Sequence, residues 1–272
     1  MSAAQLLTMW HWHPSVLLGC AGLIAAYVAA LGGRWTPRAL LFGAGMIVLI
    51  VALLSPLHEL GDRYLFSAHM LQHLLLLLIA PPLLLLGLPP ALIAAALRQP
   101  LIDRIERALG RPLVAWTIGL GAMWLWHLPA LYNAALGHEL IHIVEHLSFL
   151  VSAAIFWRPL VAPARLHPLA AVLYLSAAML ASGVLGMILT FAAPGLYPIY
   201  LSPYDRRGVL PLLRGQWGLT PPVDQQVGGL LMWVPGGLVY LGAAIAMLAR
   251  WYGMPDDEPG GFPDERRRLD VA

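Results

Sequence analysis

The sequence predicts an all-α fold: a polytopic membrane helix bundle with seven transmembrane helices. Three observations carry that reading. The 272 residues are 60% hydrophobic and only 11% charged, against about 25% charged in soluble domains. Seven apolar runs are each long enough to cross a bilayer, which takes roughly 20 residues. The basic residues, all Arg, gather between alternate runs, as the positive-inside rule requires of a membrane protein.

The runs cover about 15–32, 38–57, 66–88, 112–128, 138–160, 168–193 and 223–251. No basic segment or cleavage site marks the first run as a signal peptide, so it is read as a span. The third contains Pro81-Pro82 and is followed by Pro89-Pro90, which should bend it and then release it from the bilayer. Beyond it, Leu101, Ile102, Ile105 and Leu109 recur at helical spacing among Arg98, Arg104, Arg107 and Arg111, a pattern for a helix lying on the membrane surface. The fourth run closes on Trp124-Leu125-Trp126-His127, and the fifth opens on His138. The seventh opens on Asp224-Gln225, then Gly228-Gly229, small enough to let another helix approach closely. Residues 1–252 form the seven-helix domain; 253–272, charged and rich in Pro and Gly, read as a disordered cytoplasmic tail.

Orientation follows from Arg placement. Twelve Arg fall in the connections after runs one, three and five and in the tail; only Arg63, Arg206, Arg207 and Arg214 fall on the other side. The N-terminus is therefore expected outside and the C-terminus in the cytoplasm. On that topology nine of the ten His lie at the outer side, with His167 alone inside. The single cysteine, Cys20, excludes an internal disulfide and a Cys-cluster zinc site.

Two stretches concentrate the chemistry: His69-Met70-Leu71-Gln72-His73 and His138-Glu139-Leu140-Ile141-His142-Ile143-Val144-Glu145-His146. Residues four apart share a helix face, so His69/His73 form one imidazole column and His138/His142/His146 a second. With a 1.5 Å rise, His73 lies about 10 Å and His146 about 12 Å below their helix starts, depths that let the columns face each other. Ionisable groups at membrane depth are costly and mark function. The expected metal ligands are His69, His73, His127, His142, His146 and Asp224, with Glu145, Gln225 and Met232 around them. Imidazole with carboxylate suits zinc or Cu(II); imidazole with thioether favours Cu(I). Structural roles stand beside these: His127 as part of the aromatic belt, Asp224 as the cap of its own helix, and the methionines as packing. His138-Glu139-Leu140-Ile141-His142 also spells the zinc-protease signature, which makes a membrane metalloprotease an alternative.

Taken together, Phe66 to His73, Ala80 to Pro89, Trp126-His127-Leu128-Pro129, His142 to His146, Phe156-Trp157-Arg158-Pro159 and Asp224 to Trp233 resemble the multi-spanning caa3-type cytochrome c oxidase assembly factor family, CtaG. The resemblance covers about two thirds of the chain, in the family's order. It implies a non-enzymatic assembly factor of a haem–copper oxidase in the bacterial inner membrane, with oxidase subunits and membrane lipid as partners and no nucleic acid. Its matching polar positions are His69, His73, His127, His142, Glu145, His146, Asp224 and Gln225; His11, His13, His58 and His138 fall outside them. Copper handling at the outer face is inferred from the ligand set. A haem-handling protein, with opposed His as axial ligands, is the other alternative.

Overall fold

The computed structural model describes residues 3–161 and 166–253, and the elements among them are helical, with no strand. A short α1 (Ala3–Leu6) precedes α2 (Pro14–Leu31). Next, α3 (Arg38–Leu54) and α4 (Pro56–Arg63) meet at a 43° bend. α5 (Phe66–Leu74) and α6 (Ala80–Gly87) form one continuous helix through a π-helical turn at Leu75–Ile79. α7 (Pro90–Leu97) and α8 (Pro100–Leu109) lead to α9 (Pro112–Trp126), which bends by 71° into α10 (Pro129–Gly137). α11 (Glu139–Trp157), α12 (Pro168–Phe191) and α13 (Pro221–Tyr252) complete the chain. Most of these helices start on Pro, whose fixed φ suits a first turn and whose missing N–H is not needed there.

Five helices are long and apolar enough to cross a membrane, and the number rises to seven if each bent pair counts as one span. The protein is thus a membrane protein by its helices, and each of the seven apolar runs is helical. The tail expected at 253–272 lies outside the described residues apart from Gly253, as does Arg165. The segment expected to form a membrane-surface helix is helical as α8, with none of its residues buried. It is tied to the end of α11 by the Arg158–Glu106 pair at 2.7 Å.

Pro81 explains the widened turn in the α5–α6 helix. It has no N–H for the Leu77 carbonyl one turn back, and that carbonyl instead accepts the Trp157 indole N–H from α11 at 2.9 Å. The backbone relaxes by one residue and the helix runs on to Gly87, stopping ahead of Pro89 as the residue before a proline must. Pro81-Pro82, expected to bend the span, lies beside a widened turn in one continuous helix, which then ends ahead of Pro89.

Glycines set the tightest approach. A Cβ at Gly186 of α12 would fall 2.8 Å from the Trp233 nitrogen of α13, and one at Gly229 would strike Thr190 and Gly186. A Cβ at Gly228 would strike Phe66 and come within 3.2 Å of Met70. α13 is thereby held against both α12 and the His-bearing α5. Residues 192–220 fold over this end of the bundle: Val209, Leu212 and Leu213 pack on Tyr64, Leu65 and Ala68 beside Leu6 and Met9. Asp205 fixes this segment by accepting from the Val209 and Leu210 N–H groups at 2.7 and 2.9 Å.

Candidate metal centre

The two columns meet. α5 supplies His69 and His73, whose ring centroids are 4.3 Å apart; α11 supplies His142 and His146, 4.1 Å apart. Across the gap His69 lies 5.4 Å from His142 and 5.9 Å from His146, and His73 lies 6.0 Å from His146. Glu145, one residue before His146, points into the same space. One donor atom from each of His69, His142, Glu145 and His146 lies within 4.8 Å of the others. All four are buried, His69 and Glu145 completely.

This polarity is not satisfied by the protein. Both Glu145 oxygens, both His73 nitrogens and the Nε2 atoms of His69, His142 and His146 have no hydrogen-bond partner among the described residues. The nearest approaches to the carboxylate are His73 Nε2 at 3.6 Å, His69 Nε2 at 3.9 Å and His142 Nε2 at 4.0 Å. Buried polar groups are normally paired, and an unpaired one costs about 1–3 kcal/mol, more when charged. Four of these residues bring their donor atoms close enough together that they could hold a metal ion.

The segment over the bundle end assigns the His69 tautomer. Tyr200 Oη donates to the Gly61 carbonyl at 2.7 Å, and a carbonyl can only accept. The same oxygen lies 3.1 Å from His69 Nδ1 and 3.0 Å from Tyr132 Oη. Its one proton is spent on Gly61, so it accepts from both, and a neutral His69 then carries its proton on Nδ1. The Nε2 lone pair is left facing Glu145 and the α11 histidines. Burial holds the Tyr200 phenol well above its usual 10, so it keeps its proton. The absence of a Cβ at Gly61 permits this contact: one there would sit 3.0 Å from the His69 backbone.

The two helix breaks also serve the site. At the α3–α4 bend, Ser55 Oγ accepts from the Leu57 N–H at 3.2 Å, starting the turn that carries His58 and Asp62. Asp62 lies 3.4 Å from both His58 Nε2 and His142 Nε2, while Gln72 holds His58 Nδ1 at 3.0 Å. At the α9–α10 bend the freed His127 carbonyl accepts the Tyr197 hydroxyl at 2.8 Å. Along α11 and beneath α2 runs a cleft of about 630 Å³ that reaches from His11 and His13 through His58 and Asp62 to His142 and His146.

Several expected site residues stand elsewhere. Asp224 is not among the clustered donors: it accepts from the Phe66 N–H at 2.7 Å and from the Ser67 N–H at 3.0 Å and its hydroxyl at 2.5 Å. It caps the N-terminus of α5, the helix of another run rather than its own. The Gln225 amide N–H donates to the carbonyls of Leu189, Ala192 and Ala193 at the end of α12. Met232 is buried beside His73. Glu145, expected to orient an imidazole, is itself one of the four clustered donors. His138 is an exposed N-cap with extended backbone (φ −140°, ψ 112°), so it does not stack on His142, and Glu139 pairs with His13 at 2.6 Å. The protease signature therefore assembles no zinc site, because its first His is off the helix. His167 is the N-cap of α12. Asp62 and Tyr200 were not anticipated; the i,i+4 spacing of His58 and Asp62 was the available signal for the first.

No curated protein and no solved structure shows significant similarity to the chain. A family model described as cytochrome c oxidase caa3 assembly factor (Caa3_CtaG) matches residues 20–253, nearly the whole chain and all of the clustered residues. The chain belongs to the cytochrome c oxidase caa3 assembly factor family.

Proposed function

We propose that this assembly factor is a metallochaperone that holds a copper ion at His69, His142, Glu145 and His146 and gives it to an oxidase subunit. The carrying observation is the set of buried, unpartnered donor atoms within 4.8 Å of one another, including a carboxylate with no hydrogen bond among the described residues. Three imidazoles and a carboxylate suit a borderline cation, Cu(II) or zinc, and family membership in oxidase assembly favours copper as the cargo. Tyr200 would orient His69 from outside the ligand set, as partners behind metal-bound His commonly do. The protein is a carrier rather than an enzyme.

In this reading the bent pairs each form one span, giving seven, with the N-terminus outside and the C-terminus in the cytoplasm of the bacterial inner membrane. The His-rich end then faces outward and the 630 Å³ cleft is the entry from that side. Residues 192–220, with exposed Tyr204, offer the surface on which a subunit docks. The test is made in cells: oxidase isolated from a strain carrying His142→Ala/His146→Ala should retain haem and lose copper, with the variant still present in the membrane. Full copper in that oxidase refutes delivery.

One observation favours a second reading. The cleft is walled by Leu23, Leu49, Leu53 and Leu150 and bordered by His58, His142 and His146, a combination that a haem could use. A Soret band in the purified protein would establish haem in place of copper.

A further inference from the structure

We propose that Met70, His127 and His73 form a second metal site, selective for a soft monovalent ion such as Cu(I) and distinct from the carboxylate-bearing cluster. His127 Nδ1 lies 2.6 Å from the Met123 carbonyl, which can only accept, so Nδ1 carries the proton. In the neutral ring Nε2 is then a bare lone pair. It points at Met70 Sδ from 3.3 Å, and a thioether has no proton to offer. Two lone pairs face each other in the dry interior, where Met70 is wholly buried and His127 nearly so. A metal ion between them resolves this: bonds of about 2.0–2.3 Å to nitrogen and sulfur allow both donors to lie 3.3 Å apart on one ion.

A third donor stands beside the pair. The His73 ring centroid is 5.3 Å from that of His127, and neither His73 nitrogen has a hydrogen-bond partner among the described residues. Met123 and Met232 line a small cavity that His73 also borders. Imidazole with thioether and no carboxylate is a donor set for Cu(I), whereas Glu145 makes the neighbouring cluster suited to a harder ion. His73 Nε2, 3.6 Å from Glu145 Oε1, lies between the two. Two sites of different softness joined by one imidazole would let the protein hold copper in either oxidation state.

The test is independent of the carrier reading, because the carboxylate site can be empty while this one fills. Full-length protein in detergent is titrated anaerobically with Ag(I) or Cu(I) alone, and X-ray absorption of the Cu(I)-loaded wild type is recorded. The expected result is a sulfur neighbour in the Cu(I) coordination sphere. Met70→Leu, which conserves volume, should lose one bound equivalent together with that sulfur. His142→Ala/His146→Ala should keep both. A wild-type spectrum with nitrogen and oxygen neighbours only overturns the site whether or not the variants fold, and would indicate a protonated His127 donating to the thioether. Unchanged Ag(I) stoichiometry in folded Met70→Leu overturns it as well.

Discussion

Replacing Asp224 with Ala separates a ligand from a cap. The carboxylate receives three hydrogen bonds, from the Phe66 and Ser67 amides and the Ser67 hydroxyl. All three residues are buried. Bonds to a charged acceptor contribute about 1.5–3 kcal/mol each, so the gross loss is roughly 5–9 kcal/mol. Against this stands the desolvation of a buried carboxylate, several kcal/mol, which the variant no longer bears. The net destabilisation expected is about 2–4 kcal/mol, at or above the ~2 kcal/mol upper end for ordinary caps. Ser67→Ala removes one bond of the three and should cost about 1.5–3 kcal/mol. The assay is reversible unfolding in mixed detergent, with amide exchange at Phe66 and Ser67 to localise the effect and metal content measured on the folded fraction. Exchange at those two amides should accelerate while copper per folded molecule is unchanged. Wild-type stability combined with loss of metal would refute the capping account and return Asp224 to the ligand set.

Other outcomes follow from the same geometry. Trp157→Phe strips the partner from the Leu77 carbonyl freed by Pro81 and should destabilise by about 1–3 kcal/mol, seen as a lower unfolding midpoint. Tyr200→Phe removes the acceptor of the His69 Nδ1 proton and should weaken copper binding by roughly 10–100-fold in competition titrations, with the fold retained. Gly229→Leu forces a side chain into Thr190 and Gly186 and should cost about 1–3 kcal/mol or more, read as reduced yield of folded protein. Glu139→Gln should leave bound metal and oxidase assembly unchanged, because this exposed carboxylate faces His13 rather than the cluster.

The fold was legible where one helix decides for itself. Apolar runs of spanning length became helices, and i,i+4 spacing correctly stacked His69 on His73 and His142 on His146. What a periodic pattern leaves open is which helix a polar residue faces. Asp224 reads as a cap of its own helix or as a ligand; it caps α5 because Gly228, one turn on, brings that helix close. Glu145 lies one residue before His146 and looks auxiliary, yet the crossing of α5 and α11 turns it toward His69 and His73. Pro56 and Pro129 open the helices beyond the two bends, but only packing shows that Asp62 and His127 come to lie beside His142 and His73. Tyr200 is invisible at sequence level, since its role depends on a loop lying across Gly61. His138 illustrates the converse: an exact motif is disarmed when its first residue lies outside the helix that the motif requires.

The central claim is that the buried His/Glu cluster binds copper. Its most direct test is copper content in detergent-purified wild type beside His142→Ala/His146→Ala, after anaerobic loading and removal of excess metal. The expected result is tightly held copper in the wild type, and loss of the cluster-bound equivalent in a variant that remains folded. A wild type that retains no copper, or a variant that retains all of it, would contradict the account.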